Sequence, residues 1–308
     1  MRRMTAALAG AAVTALVVPA LVAAAPANAA SGQATSRSAG ATGKTDPVSA
    51  LKRQFRTHHG VRLTEDAKII GEGKQQRGIL AHSEGVLEFA GNGVAASDLN
   101  SRFQLPVDDS KTKNMFAPSR TITVKGTSYT SGGAFGDILP EGKKWLRGSK
   151  EIALALANPT QKLLNPLEPA TLKAALAHTT AKRPGGTWDG TRTVVHSGSM
   201  TLGELYRISP TVRTLLGAKP SAKSAPLVVT WQLYIGSDQL VRRAISSYTQ
   251  SIRGLTSVDI TYLNDSRYSD WGMRSAIKAP PASQVADFDE LKIGEEANKD
   301  AYIELFKN

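Results

Sequence analysis

Ala225–Ile235 (APLVVTWQLYI), Asp238–Gln250 (DQLVRRAISSYTQ) and Thr256–Tyr268 (TSVDITYLNDSRY) decide the fold. They are strand-like runs broken by Gly236-Ser237 and by Arg253-Gly254-Leu255. Side chains alternate sides along a strand, so Leu227, Val229, Trp231, Leu233 and Ile235 share one face. Val228, Thr230, Gln232 and Tyr234 form a wetter opposite face. This is the pattern of a one-sided antiparallel sheet, whose apolar face must be covered.

The remaining strand signals lie upstream, at Val61–Glu72, Arg77–Ala90, Ser97–Leu105, Arg120–Ser131 and Gly190–Leu202, with a short strand beginning at Lys143-Lys144-Trp145-Leu146. Gly, Asn and Asp clusters punctuate the runs, as turns between antiparallel neighbours require. Asp46-Pro47 opens an amphipathic helix through about Thr57, with Val48, Leu51 and Phe55 on one side. Glu151–Ala157 reads equally as helix or strand. Pro169–Thr179 reads as a helix carrying Leu172, Ala175 and Leu176 on one stripe. Gly203–Leu216 reads as a helix interrupted near Pro210, because proline lacks a donor and clashes with the preceding turn. Ala279-Pro280-Pro281 ends the sheet, and a last helix follows from Glu295. Eight to ten strands in meander order with interspersed helices predict an α+β fold: a curved antiparallel sheet, an open half-barrel, with helices packed on its concave face.

The ends bound the setting. Arg2 and Arg3, the apolar run Thr5–Ala25 and Ala27-Asn28-Ala29 form a signal peptide over residues 1–29, cleaved after Ala29. Ala30–Thr45 is too polar to bury a core and is expected to be a flexible leader. Residues 46–308 are then expected to form a single domain with a C-terminal helical tail. With no cysteine in the chain, disulfides, thiolate metal sites and a lipidated N-terminal cysteine are excluded. The expected location is secreted or extracellular.

Formal charge is +12, and +10 once Arg2 and Arg3 leave with the signal. At 6% aromatic residues and with no stacking motif, nucleic acid is not an expected partner. Transient contact with an anionic membrane or wall surface fits the charge better.

Motifs for chemistry are weak. His58-His59 lacks carboxylates at ligand spacing, and the default for it is a helix-end cation. His196-Ser197-Gly198-Ser199 lacks the nucleophile-elbow arrangement. Gly73 to Gly78 lacks the lysine of a phosphate loop, and Asp108-Asp109 and Asp287-Phe288-Asp289-Glu290 read as solvated turns. No metal, cofactor or enzymatic activity is expected. Trp231 and Tyr262 read either as ordinary core or as the lining of an apolar cavity.

Several stretches resemble an actinobacterial exported protein family similar to the LppX and LprG lipoproteins, which in turn resemble LolA-type carriers. They are Arg120-Thr121-Ile122-x-Val124 leading to Tyr129, Leu139-Pro140-Glu141-Gly142-Lys143-x-Trp145, Leu240-Val241-Arg242-Arg243, and above all Ile277 through Asp287 (IKAPPASQVAD). The resemblance implies a LolA-like half-barrel with an apolar cavity between sheet and helices that holds a lipid or other apolar small molecule. The expected lining is Leu227, Val229, Trp231, Leu233, Ile235, Val258, Ile260, Tyr262, Ile122 and Val124. The expected head-group contacts are Lys143, Lys144, Arg147 and Lys150. The alternative is an interaction protein with a filled core, binding wall polymer or a protein partner through its basic surface. The chain departs from the family in lacking the lipidation cysteine and in its extra helical tail.

Overall fold

Asp46 caps the first helix by accepting from the backbone N–H groups of Val48 (3.0 Å) and Ser49 (3.1 Å), with Pro47 at the first helical position. In the computed structural model, which describes residues 10–11, 46–71, 73–74, 78–104, 117–148, 162–253 and 257–291, this helix is α1, Pro47–Gln54. The expected signal peptide apart from residues 10–11, the expected leader, Glu151–Ala157 and the tail from Glu295 lie outside the described residues. Residues 10–11 and 73–74 form a separate two-residue ladder.

The strands are β1 His59–Gly71, β2 Ile79–Ala90, β3 Gly93–Gln104, β4 Ser119–Val124, β5 Thr127–Gly132, β6 Trp145–Gly148, β7 Thr179–Trp188, β8 Thr191–Thr201, β9 Val228–Gly236, β10 Val241–Arg253, β11 Ser257–Arg274 and β12 Val285–Ala286. Three more helices are α2 Pro169–Ala177, α3 Leu202–Ile208 and α4 Pro210–Leu216. The twelve strands form one open sheet in the order β12-β6-β5-β4-β3-β2-β1-β11-β10-β9-β8-β7. The chain enters mid-sheet at β1, meanders to one side through β6, and returns from the opposite edge through β7 to β11. β11 closes the two halves by pairing with β1, Asp265 opposite Asp66. All pairs are antiparallel except β12 with β6.

Three departures from the sequence reading have local causes. Arg120–Ser131 is a hairpin rather than one run, because Lys125 (φ 52°) and Gly126 (φ 78°) make a turn with two positive φ values. The stretch Thr179–Trp188, without a strand signal, is the edge strand β7, closed to β8 by a turn at Asp189 (φ 47°) and Gly190. The sheet also continues past the prolines, where Val285 and Ala286 pair with Trp145 and Leu146.

The helix break at Pro210 is as expected. Thr201 and Glu204 form a reciprocal capping box on α3, and the Ser209 hydroxyl accepts from Val212 N–H to start α4 at Pro210. One carboxylate ties the helices together: Glu168 accepts from Thr171, Ser209 and both the backbone and hydroxyl of Thr211, at 2.6–2.9 Å. Leu51, Leu172, Leu205 and Val212 from the four helices join Val61, Leu87, Phe89, Val229 and Leu233 from the sheet in one core. The helices therefore lie on one face, here the inner face, of the antiparallel sheet. Each fully buried Leu or Val there contributes about 1.5–3 kcal/mol.

Candidate ligand-binding site

Strand register sorts the expected lining residues. Val229, Trp231, Leu233 and Ile235 face inward at 0–4% exposure and pack in the core with the helices. Leu227 and Ile260 are half-buried against the same core, and Tyr262 stacks on Tyr248 at 4.7 Å between ring centroids. Ile122 and Val124 pair with Asp98 and Ala96 of β3, whereas the inward residue of that strand, Leu99, pairs with Thr121. Both therefore lie on the outer face, six strand spacings, about 29 Å, from β9. They cannot line a cavity with Trp231. Alternation within each strand showed which residues share a face, but not which face of the sheet that was. Val258 is described only in its backbone.

The basic turn is likewise occupied by the fold. Lys143 Nζ donates to the Val285 carbonyl (2.8 Å), the Lys144 N–H donates to the Gln284 carbonyl (2.9 Å), and Arg147 pairs with Asp287 (3.3 Å). These contacts fasten β12 to β6; Lys150 lies outside the described residues.

What the register assembles instead is a band of small side chains across the inner face. One row runs Gly198, Trp231, Ser246, Asn264, Ala67, Ala81 and Phe103 on neighbouring strands. The next runs Leu233, Ala244, Ser266, Glu65, Ser83 and Ser101. Tyr248, Tyr262, Ile69 and Ile79 bound the band on one side. Along its middle, Ala67, Ala81, Ser246 and Asn264 stand where the packed region has Leu and Val, and all four are buried at 2–6% exposure.

Polar groups in the band are buried. Glu65 pairs with Lys162, which reaches in from the segment before α2, and Ser266 Oγ donates to the same carboxylate (2.6 Å). Burial pulls the Lys162 ammonium down, but Glu65 more than offsets it, so its pKa lies above the ordinary 10.5. Burial raises the phenols of Tyr248, Tyr262 and Tyr268. Among the described residues, Asn264 Oδ1 and Trp231 Nε1 are buried without a hydrogen-bond partner, as are Thr123 Oγ1 and Ser128 Oγ farther along the inner face. An orphaned buried acceptor or donor costs about 1–3 kcal/mol, so such atoms mark places where a bound molecule can supply the partner. The small-residue band had a sequence trace, the Ala and Ser interruptions of otherwise apolar faces, but it becomes a row only once the register is known.

Among the described residues, the His196-Ser197-Gly198-Ser199 stretch does not place a hydroxyl beside its histidine. His196 faces inward on β8, while Ser197 and Ser199 face outward, opposite Gln232 and Thr230. Burial and neighbouring Lys182 hold its imidazole below the usual range. Among the described residues no group of three His, Cys, Asp or Glu side chains could hold a metal, and no helix is long and apolar enough to cross a membrane.

No protein-family model matches the chain, and no curated protein sequence matches it. Solved structures align over much of its length at low similarity. A DUF1329 family protein from Desulfovibrio piger is 12% identical, covering 78% of this chain and 98% of its own, with a TM-score of 0.24. A LolA superfamily protein from Nitrosomonas europaea is 9% identical, covering 75% and 93%, with a TM-score of 0.23. A porin-like protein from Bacteroides uniformis is 10% identical, covering 70% and 98%, also at 0.23. At these scores the likenesses assign neither family nor function.

Proposed function

We propose that this is an exported, non-enzymatic binding protein that holds a lipid or other apolar molecule in a trough over the small-residue band, between sheet and helices. The observation that carries the reading is the row Trp231, Ser246, Asn264, Ala67, Ala81, where small side chains coincide with the orphaned Asn264 Oδ1 and Trp231 Nε1. Apolar walls supply affinity, about 0.8 kcal/mol for each methylene buried, and the polar atoms orient a head group. The signal peptide expected from residues 1–29 and the motif resemblance to the LppX and LprG family support the same reading.

The test is fluorine NMR of protein labelled with 5-fluorotryptophan, with the Trp231 resonance assigned by Trp231→Phe. Glycerol monolaurate should shift that resonance at micromolar concentration. No shift at any concentration below its solubility limit would remove the proposal.

The tight packing around Val229, Leu233 and Ile235 favours a second reading, a protein with a filled interior that binds wall polymer or a protein partner through basic groups. Salt-sensitive retention on cell-wall preparations with no lipid uptake would support it.

A further inference from the structure

The outer face carries a second cleft, separate from the trough. After β11 the chain does not leave the sheet but runs back across its outer side as a strap. Glu88 holds it: one carboxylate oxygen accepts from the Ile277 N–H (2.7 Å) and the Ser275 hydroxyl (3.1 Å). The Ser275 N–H also donates to the His58 carbonyl (3.0 Å). Between the strap and strands β2 to β4 lies a groove of about 560 Å³, within the usual size of a small-molecule site.

Its lining is amphipathic. Val86, Ile122 and Met273 from the sheet and Ile277 from the strap supply apolar surface. Three cations, Arg120, Arg274 and Lys278, line it against one carboxylate, Asp98. Asp98 is already spent on Arg120, in a bidentate pair at 2.6 and 2.8 Å. Arg274 and Lys278 form no ion pair among the described residues. The groove thus combines four apolar side chains with an uncompensated charge of two.

We propose that this groove binds a single-chain anionic amphiphile, its apolar chain along Val86, Ile122 and Ile277 and its acidic group at Arg274 and Lys278. Its volume suits one molecule rather than a bilayer surface, and the charge excess selects an anion. This site is independent of the trough, which is read at Trp231.

Methyl NMR of the full mature chain with dodecanoate tests it. Dodecanoate should perturb the methyl resonances of Ile122 and Ile277, and dodecyltrimethylammonium should not. The double variant Arg274→Glu with Lys278→Glu should weaken binding about tenfold, the sum of two exposed charge reversals. Ile277→Ser, on the strap and away from the strands, should weaken it too, with both variants keeping the wild-type melting temperature within a few degrees. Equal perturbation by the cationic probe, or charge-reversed protein that binds dodecanoate within twofold of wild type, overturns the proposal. Acetate perturbing the same methyls as strongly overturns the amphiphile and leaves a simple anion site.

Discussion

The indole of Trp231 lies directly over Gly198 of the neighbouring strand. A methyl group added at Gly198 would meet Trp231 Cζ2 at 2.6 Å and the His178 carbonyl oxygen at 2.2 Å. The glycine is therefore what lets the tryptophan ring come this close to the backbone of β8. Gly198→Ala should destabilise the protein by about 1–3 kcal/mol through overpacking, because the backbone oxygen cannot swing aside. Chemical denaturation checks this, and a midpoint unchanged from wild type would mean the ring is free to move.

Glu65 and Lys162 form a buried pair, at 11% and 18% side-chain exposure. Removing one charge takes the pairing from the other, so Glu65→Gln or Lys162→Met alone should cost about 3–5 kcal/mol. The double variant should recover most of that loss. A double variant no more stable than the worse single one would show that the pair acts through other neighbours.

The same pair gives stability a pH dependence. The Lys162 pKa is raised on folding, so its contribution is fully present below about pH 10.5 and is lost as pH rises through the folded value. Plotted from pH 7 upward, the stability difference between wild type and the Glu65→Gln, Lys162→Met double variant should be flat to about pH 10 and shrink above it. A difference that grows above pH 10 would contradict the sign.

Glu88 is 9% exposed and is the anchor of the strap. Glu88→Leu should leave the Ile277 N–H without its acceptor and speed its hydrogen exchange by about tenfold or more, at a cost of about 1–3 kcal/mol. The amides of β10 and β11, on the other side of β1, should keep their protection. Uniform loss of protection would mean that the strap holds the whole sheet together.

The fold was legible where chemistry and period agree. Val229, Trp231, Leu233 and Ile235 name their face at period two, and Pro210 announces the break between α3 and α4. Strand β7 was not legible, although Asp189-Gly190 is a strong hairpin signal. Its residues are polar and include Pro184, tolerable because β7 is a sheet edge with no inner partner to satisfy on one side. The site was legible only in part. Trp231 and Tyr262 stand out as aromatics, but Asn264, Ser246 and Ala67 look ordinary in three separate strands. Only the pairing register lays them side by side. For the same reason Ile122 and Val124, apolar and alternating, gave no hint that their face was the outer one.

Native mass spectrometry of mature protein purified without detergent tests the central idea most directly. We predict a species heavier than the polypeptide by the mass of one apolar molecule, lost when Ala67→Leu and Ala81→Leu fill the trough while the protein stays folded. Polypeptide mass alone, before and after incubation with lipid, would contradict it.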